Sequence, residues 1–536
     1  FHQSRLSFMR ILTRRMTREA WRFSRPVFDI DAKGVGHAVY CAHTPDRTYS
    51  LVAFAHDLPA EKRSDRVIAE AWDSTFTLFD GLPDAADIER LRANIPLQEA
   101  GRATQKELSI SRANRSVRLW EYMVGCLSKG RQPDPAEVAK VGYLMRTTAV
   151  YGSGKFGAAD REATAARPEC NAPFQIEMLS VFLTRTYVRD LMQHMANLRG
   201  GDTAVMLDPA TARSMGIGNS TGLGMAPFLV NHPELFNNWI AAREEAIARV
   251  RSLPQASLDE IALFKSLMAR SVVSADLWSS EHPIQIEKLA ALRPDLKKLE
   301  SHVASADMQA SQPWNRLFLW AEGHLGMDAQ ECLASLMLEP FGALVDDLAG
   351  EMADTNIGGF RIDGTMPVAA LRAVLKDAYG WALTTDWIAK DNCARAWYVS
   401  EEKLEPRLGE RFEEPVAEYE QPLAPGRDAA ALYQALENAA PDEPIARFLL
   451  AHPEHRHMVR RAQIVARAPY AEIRDNTIGS ELLPIDMLRC KLSFFGAVHF
   501  DPRSDRWVRI CMFGGAPYPE DLSTADAFWP YPAALP

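Results

Sequence analysis

The sequence predicts an α+β fold that is predominantly α-helical: a large helical central body flanked by an N-terminal antiparallel β-meander and a small C-terminal α+β region. Three observations predict this class. Short alternating apolar segments separated by turn residues come first, helical spacing of apolar residues then takes over, and two apolar runs flank a turn near the C terminus. The composition, 47% hydrophobic and 24% charged over 536 residues, is that of an ordinary globular protein.

The same patterns divide the chain into five segments. Changes of periodicity mark the first boundaries, and a run dense in acid and proline marks a connector. The predicted segments are a basic amphipathic N-terminal arm (1–25), the β-meander (26–83), a helical body with candidate ligand loops (84–394), an acidic, proline-containing connector (395–427) and a C-terminal α+β region (428–536).

The N-terminal arm alternates six arginines with apolar residues, a pattern typical of an amphipathic helix. Four interpretations stay open. The helix packs on its own domain, lies on a membrane surface, belongs to a transit-like segment, or serves as a docking element for an acidic partner or for a second copy in a homodimer.

The elements follow from local spacing and turn chemistry. Asparagine and serine with glutamate three residues later mark two helix starts, at residues 231 and 257. The predicted strands are 27–30, 37–41, 49–55, 67–72 and 75–79, with a C-terminal pair at 491–500 and 507–513. The predicted helices are 116–128, 134–151, 171–198, 284–303, 313–323, 328–350, 367–379, 428–438 and 443–466.

Charge and composition narrow the classes of function. The chain has 70 acidic against 60 basic residues, so its net charge of -10 gives no reason to expect nucleic-acid binding. Every long apolar run is broken by charge, which predicts no transmembrane segment. Seven widely spaced cysteines form no C-x-x-C pair, and this pattern fits a reducing cytoplasm.

The first candidate loop holds three glycines within six residues and carries Lys155. Ala149 and Phe156 stand where a phosphate-binding P-loop needs glycine and a hydroxyl residue, so that motif is excluded. A G-x-G-x-x-G match remains, but it follows a predicted helix where a dinucleotide site needs a strand. We predict that Lys155 and Arg146 contact an anion, with Tyr151 as a further binding residue; the alternative is a helix end followed by a surface loop.

The second candidate loop, residues 214–233, has no charged residue and four glycines. Backbone without side chains can approach a ligand closely, so we predict that Asn219, Ser220 and Thr221 form hydrogen bonds to one. His232 follows at the start of the next predicted helix, where the positive helix end favours the neutral imidazole of a general base. The alternatives are a buried interhelical loop and a histidine with no chemical role.

The remaining polar clusters give weaker indications of a functional site. Arg361, in a glycine-rich turn, is predicted to bind a carboxylate with both guanidinium ends, although a connector with one ion pair explains it equally. Three histidines between residues 452 and 457 lack the spacing of a metal site, so no metal ligand is assigned. Cys511, in an apolar strand, is interpreted as a core residue.

These features favour an enzyme that acts by acid–base chemistry, of lyase, isomerase or hydrolase type, on a small polar, anionic metabolite held between the two loops. His232 and Lys155 are the predicted catalytic residues, and the cofactor is left unknown. One alternative is a metalloenzyme or redox enzyme with dispersed ligands. Another is a helical scaffold protein that docks through its N-terminal arm.

Overall fold

The structure is a computed structural model, and its helices, strands and contacts are those of the residues that it describes. These are residues 4–59, 71–94, 106–152, 167–170, 172, 174–220, 233–280, 283–351, 362–387, 397–399, 406–408, 425–467, 496–504 and 507–523.

A curled, mixed sheet of nine strands organises the fold. Its strands are β1 (Arg22–Ile30), β2 (Gly36–His43), β3 (Thr48–Ala55), β4 (Ser74–Asp80), β5 (Glu107–Arg115), β6 (Tyr143–Gly152), β7 (Gly216–Ser220), β10 (Ala497–Ser504) and β11 (Trp507–Met512). The order across the sheet is β1-β2-β3-β4-β5-β6-β7-β11-β10. All neighbours are antiparallel except β6 and β7, which are parallel. Two short strands, β8 (Trp397–Val399) and β9 (Pro406–Leu408), form a separate pair.

The predicted β-meander is confirmed in part. Four of its five predicted strands overlap β1 to β4, and the fifth, 67–72, lies mostly outside the described residues. Helix α2 (Ala85–Asn94) covers the outer face of the meander through a small cluster of Val52, Phe54, Phe79 and Leu91. This cover explains why β3 is buried on both faces rather than alternating.

Three strands inside the segment predicted to be helical correct that prediction. Residues 134–151 form the short helix α4 (Pro135–Ala139) followed by β6, and β5 and β7 were not expected. Arg146 and Thr147 are neighbours in β6 and both are buried, so the strand lacks the alternation by which strands are predicted from sequence. The two predicted C-terminal strands, β10 and β11, form a hairpin, and β11 pairs with β7, so the hairpin completes the same sheet.

One long helix, α5 (Gln175–Gly200), contacts six strands of the sheet from β2 to β7. It also packs on α1 (Phe8–Arg18) and α3 (Trp120–Ser128). Residues 175–188 are buried without exception, so α5 is enclosed on all sides over this half. The predicted helix 171–198 is confirmed, with its start at Gln175.

Helix α1 lies in the main hydrophobic core, where Leu6, Phe8 and Met9 are buried. The guanidinium group of Arg10 binds the carboxylate of Glu339, and neither side chain is solvent-exposed. Packing within the chain therefore takes up the surface that the docking-arm prediction required. The alternative, a helix that packs on its own domain, describes α1 correctly.

The remaining helices form a layer beside the sheet and a smaller cluster. The Ser257 capping box is present as predicted, and the predicted helix 328–350 is broken near Pro340. The layer contains α6 (Pro209–Ser214), α7 (Pro233–Arg251), α8 (Leu258–Leu277), α9 (Pro283–Ser305), α10 (Pro313–His324), α11 (Met327–Met337), α12 (Gly342–Val345) and α13 (Leu348–Glu351). A second core joins α14 (Val368–Leu383), α15 (Pro425–Glu437), α16 (Ile445–Ala451) and α17 (Arg456–Arg467).

Candidate functional site

The candidate site is the edge of the sheet where β6 and β7 end. The two strands run parallel, with Arg146 opposite Gly218 and Thr147 opposite Asn219. Parallel neighbours end toward the same edge of a sheet. Strand β7 ends at Ser220, and β6 continues to Gly152, roughly 13 Å farther along the strand direction. The two loops, about 70 residues apart in sequence, therefore start on the same side of the sheet but at different heights.

The predicted site residues divide between these strands and the undescribed segments. Arg146 and Tyr151 lie in β6, while Asn219 and Ser220 lie in β7. The expectation of a helix around Arg146 and of an interhelical loop around Asn219 was therefore wrong. The other four predicted residues lie outside the described part of the chain: Lys155, Thr221, His232 and Arg361.

Two glycines of β7 have a packing role rather than a ligand-binding one. A Cβ atom at Gly216 would lie 2.1 Å from the Met512 carbonyl oxygen, and one at Gly218 would lie 2.7 Å from the Tyr143 ring. Real side chains do not approach that closely, so these glycines allow β7 to fit between β6 and β11.

The N-terminus of α5 lies at this same edge. Tyr49, at the start of β3, donates a hydrogen bond to Glu169, which lies just before α5. Tyr49 pairs with Asp80 at the end of β4, whereas Tyr187, farther along the helix, contacts Ser74 at the start of β4. The helix therefore points its positive end toward the edge where β6 and β7 end, and this favours anions there.

Ion pairs already neutralise most acidic groups at this edge. Arg167 donates to Asp80 at 2.5 Å, and Arg47 lies 3.6 Å from Glu169. Glu107, at the start of β5, is buried and accepts a hydrogen bond from Arg90. Each of these three carboxylates therefore has a cationic partner, whereas Glu177, buried in the first turn of α5, offsets part of the positive end of the helix.

A second polar site, not predicted from the sequence, is a cavity of about 520 Å³ beside the other half of α5. Arg189, Asp190 and His194 of α5 line it, together with Arg25 of β1 and Glu520. Part of the signal was present in the sequence, because Asp190 and His194 lie on the face of the predicted helix 171–198 opposite its apolar stripe, whereas Arg189 lies beside that stripe.

The described residues contain no cluster of three or more metal-binding side chains, and none of their helices is long and apolar enough to cross a membrane. Burial raises the pKa of the Cys511 thiol to about 12, which suits a core residue rather than a nucleophile. Comparison with protein-family models, curated proteins and solved structures finds no match to this chain.

Proposed function

We propose that this chain is an enzyme that binds a small, polar, anionic metabolite at the edge where β6 and β7 end and transforms it by acid–base chemistry. One observation supports the proposal above all: the parallel pairing of these strands, which directs both glycine-rich segments to the same edge. Segments that follow neighbouring parallel strands commonly hold ligands, because a rigid sheet fixes where they start.

Charge supports an anionic ligand. The N-terminus of α5 contributes a positive end, and the buried side chain of Arg146 belongs to β6, the strand that precedes the segment carrying Lys155. In the proposal, the Lys155 ammonium group binds the ligand's carboxylate or phosphate, and Arg361 binds a second carboxylate. Tyr151, Asn219, Ser220 and Thr221 orient the ligand through hydrogen bonds.

The proton-transfer role falls to His232, which directly precedes α7 at Pro233. The positive end of this helix disfavours the imidazolium form, so the neutral imidazole is available as a base. His232 accepts a proton from the substrate carbon or hydroxyl group, and Lys155 stabilises the negative charge that develops on the substrate. Return of that proton to the product or to the leaving group completes an isomerase, lyase or hydrolase cycle.

Four described cysteines, Cys41, Cys126, Cys332 and Cys511, are buried and carry no disulfide, which supports the reducing, cytoplasmic location included in the proposal.

Isotope exchange tests the proposed proton transfer across a set of candidate substrates. We expect the full chain in D₂O to exchange or convert at least one member of a mixture of small hydroxy acids, keto acids and sugar phosphates, observed by proton NMR. Lys155→Ala and His232→Ala should each lower that rate by about 100-fold or more, as is usual for loss of a positioned base or charge.

Two matched variants control for nonspecific effects. Lys140→Ala removes an exposed lysine that directly follows α4, and His452→Ala removes a half-exposed histidine far along the chain. Both should retain the wild-type rate. Retention of that rate by Lys155→Ala and His232→Ala, or the absence of any exchange by the wild-type protein, contradicts the proposal.

A further inference from the structure

The cavity beside α5 lies where the edge strand β1 approaches the turn Pro519–Asp521, which follows β11. We call it the seam cavity; it is lined by parts of β1, α5, residues 206–212 and residues 518–521. Its α5 residues begin 14 positions after Gln175, roughly 20 Å along the helix from the edge where β6 and β7 end. The two sites are therefore separate.

The floor of the seam cavity is a completed ion-pair network. The Asp190 carboxylate accepts hydrogen bonds from Arg25 at 2.7 Å, from the Tyr40 hydroxyl at 2.9 Å and from Arg189 at 3.0 and 3.1 Å. Burial, together with the Asp190 charge, raises the pKa of Tyr40 above its ordinary value, so the hydroxyl stays a donor. Both guanidinium groups are thus committed to a protein carboxylate rather than available to bind an anion.

Gln193 fixes the wall and offers nothing to a ligand. Its side-chain nitrogen donates to the Asn197 side chain and to the Val205 carbonyl oxygen, each at 2.9 Å. Its oxygen accepts from the Leu207 amide, also at 2.9 Å. The wall of residues 205–207 is therefore held to α5 before any ligand arrives.

The polar capacity that remains in the cavity belongs to acceptors. His194 donates from Nε2 to the Ile30 carbonyl oxygen at 3.1 Å, so Nδ1 is the ring nitrogen that can accept a hydrogen bond from a ligand. Glu520 binds Arg189 through one oxygen, and its side chain is 52% exposed. Asp521 has no cationic partner within ion-pair distance among the described residues. Three carboxylates and two guanidinium groups line the cavity. A third guanidinium group, that of Arg185, lies against the Tyr518 ring outside the lining, so the excess of negative charge is confined to the side of Glu520 and Asp521.

The rest of the lining is largely apolar and includes Phe28, Leu207, Pro209 and Ala212. Met206 also lines the cavity, and 69% of its surface is exposed. An exposed methionine beside a cavity provides adaptable apolar surface for a ligand.

Tyr518 closes one end of the cavity and is rigidly held. Arg185 and Arg189 lie over its ring, 3.9 and 4.2 Å from the centroid, and its hydroxyl donates to the Ala212 carbonyl oxygen. The cavity is therefore preformed, and its volume of about 520 Å³ suits a small molecule.

We propose that the seam cavity binds a small organic amine whose ammonium group lies against Glu520, Asp521 and His194 and whose apolar body packs on Met206 and Phe28. An ammonium group offers three donors and one positive charge, which match the unused acceptors and the excess negative charge. This site is independent of the proposed activity at the β6–β7 edge.

Binding of 2-phenylethylamine to the full chain, measured by calorimetric titration or by ligand-detected NMR, tests the inference. The matched anion 3-phenylpropionate has a body of similar size and should bind at least tenfold more weakly. Glu520→Gln combined with Asp521→Asn should weaken amine binding about tenfold, because charge-assisted contacts are lost. Met206→Ser should weaken it by a few fold through lost apolar contact.

Glu121→Gln is the matched control, since Glu121 also binds an α5 arginine, Arg199, at 3.0 Å, but lies outside the cavity lining. It should leave amine binding unchanged. The inference is overturned if the amine does not bind at millimolar concentration, if the anion binds equally well, or if the double variant binds like the wild type.

Discussion

Two buried arginines, Arg10 on α1 and Arg185 on α5, are held in opposite ways. Arg10 has no exposed surface and binds both carboxylate oxygens of Glu339. Beside this pair, Arg5 forms a two-pronged ion pair with Asp346, through hydrogen bonds of 2.7 and 2.8 Å. The α1 region thus compensates buried positive charge with buried negative charge.

Arg185 is 2% exposed, yet no carboxylate lies within ion-pair distance of it among the described residues. Its guanidinium group donates to three backbone carbonyl oxygens, of residues 215, 213 and 517, at 2.7, 2.9 and 3.2 Å. The Tyr518 ring covers its face. Burial lowers the pKa of Arg185, as expected where no full negative charge offsets desolvation.

The two arginines therefore stabilise the fold in different ways: Arg10 through its charge, and Arg185 through the geometry of its hydrogen bonds. Removal of Arg10 leaves the buried Glu339 carboxylate without its main partner, whereas removal of Arg185 leaves neutral carbonyl groups. The α1 region should therefore respond strongly to loss of charge and to acid. The Arg185 region should respond to the shape of the donor, because a planar guanidinium group alone reaches three carbonyls at once.

The largest expected effect is that of Arg10→Ala, which should destabilise the protein by about 3 kcal/mol because the Glu339 carboxylate stays buried without its main partner. Arg5, 3.6 Å from Glu339, compensates only in part. Urea unfolding measures the loss. The double variant Arg10→Met with Glu339→Met should regain most of the stability, and a loss below about 1 kcal/mol in Arg10→Ala would contradict the comparison.

The partners of Arg10 and Arg185 could not be predicted from the sequence, although the two helices that contain these arginines could. The apolar spacing of α1 and α5 predicted both helices, since that signal is local. Glu339 is 329 residues from Arg10, and the Pro517 carbonyl is 332 residues from Arg185. A single sequence contains no signal for contacts at such separation.

The same limit explains the error at the candidate site. Arg146 and Tyr151 belong to β6, in which residues 143–147 are all buried, so this part of the strand has no alternation to predict it. Its parallel partner β7 is five residues long and contains two glycines that close packing requires. The glycine-rich, polar composition of the two loops could be recognised in the sequence. Their position at one edge of the sheet could not, because it depends on the pairing of β6 with β7, which are about 70 residues apart.

A conservative substitution sharpens the comparison, with an intermediate effect. Arg185→Lys keeps the positive charge but cannot reach all three carbonyls, so we expect a loss of about 2 kcal/mol, roughly two net hydrogen bonds. Arg199→Lys, at an exposed position of the same helix, should change the free energy of unfolding by less than about 0.5 kcal/mol. Equal unfolding midpoints for the two variants would show that the donor geometry of Arg185 does not matter.

The smallest expected effect is a pH dependence confined to the α1 region. Burial opposes the charged form of Asp346, but hydrogen bonds from Arg5 and the charges of Arg14 and Arg10 outweigh it, so the pKa of this carboxyl lies below its ordinary value. The unfolded chain therefore binds a proton at higher pH than the folded chain does. The stabilisation is fully present above the ordinary aspartate pKa of about 3.9, and it is lost as the pH falls from there through the lowered value.

We expect this carboxylate to contribute about 1 kcal/mol to the free energy of unfolding, because the Asp346 side chain is 29% exposed and its charge is partly screened by solvent. Asp346→Asn should remove this part of the acid dependence in urea unfolding followed from pH 6 to pH 3, whereas Arg185→Lys should leave it intact. If both variants retained the wild-type acid dependence, Asp346 would not be its source, and the contrast between the two regions would rest on geometry alone.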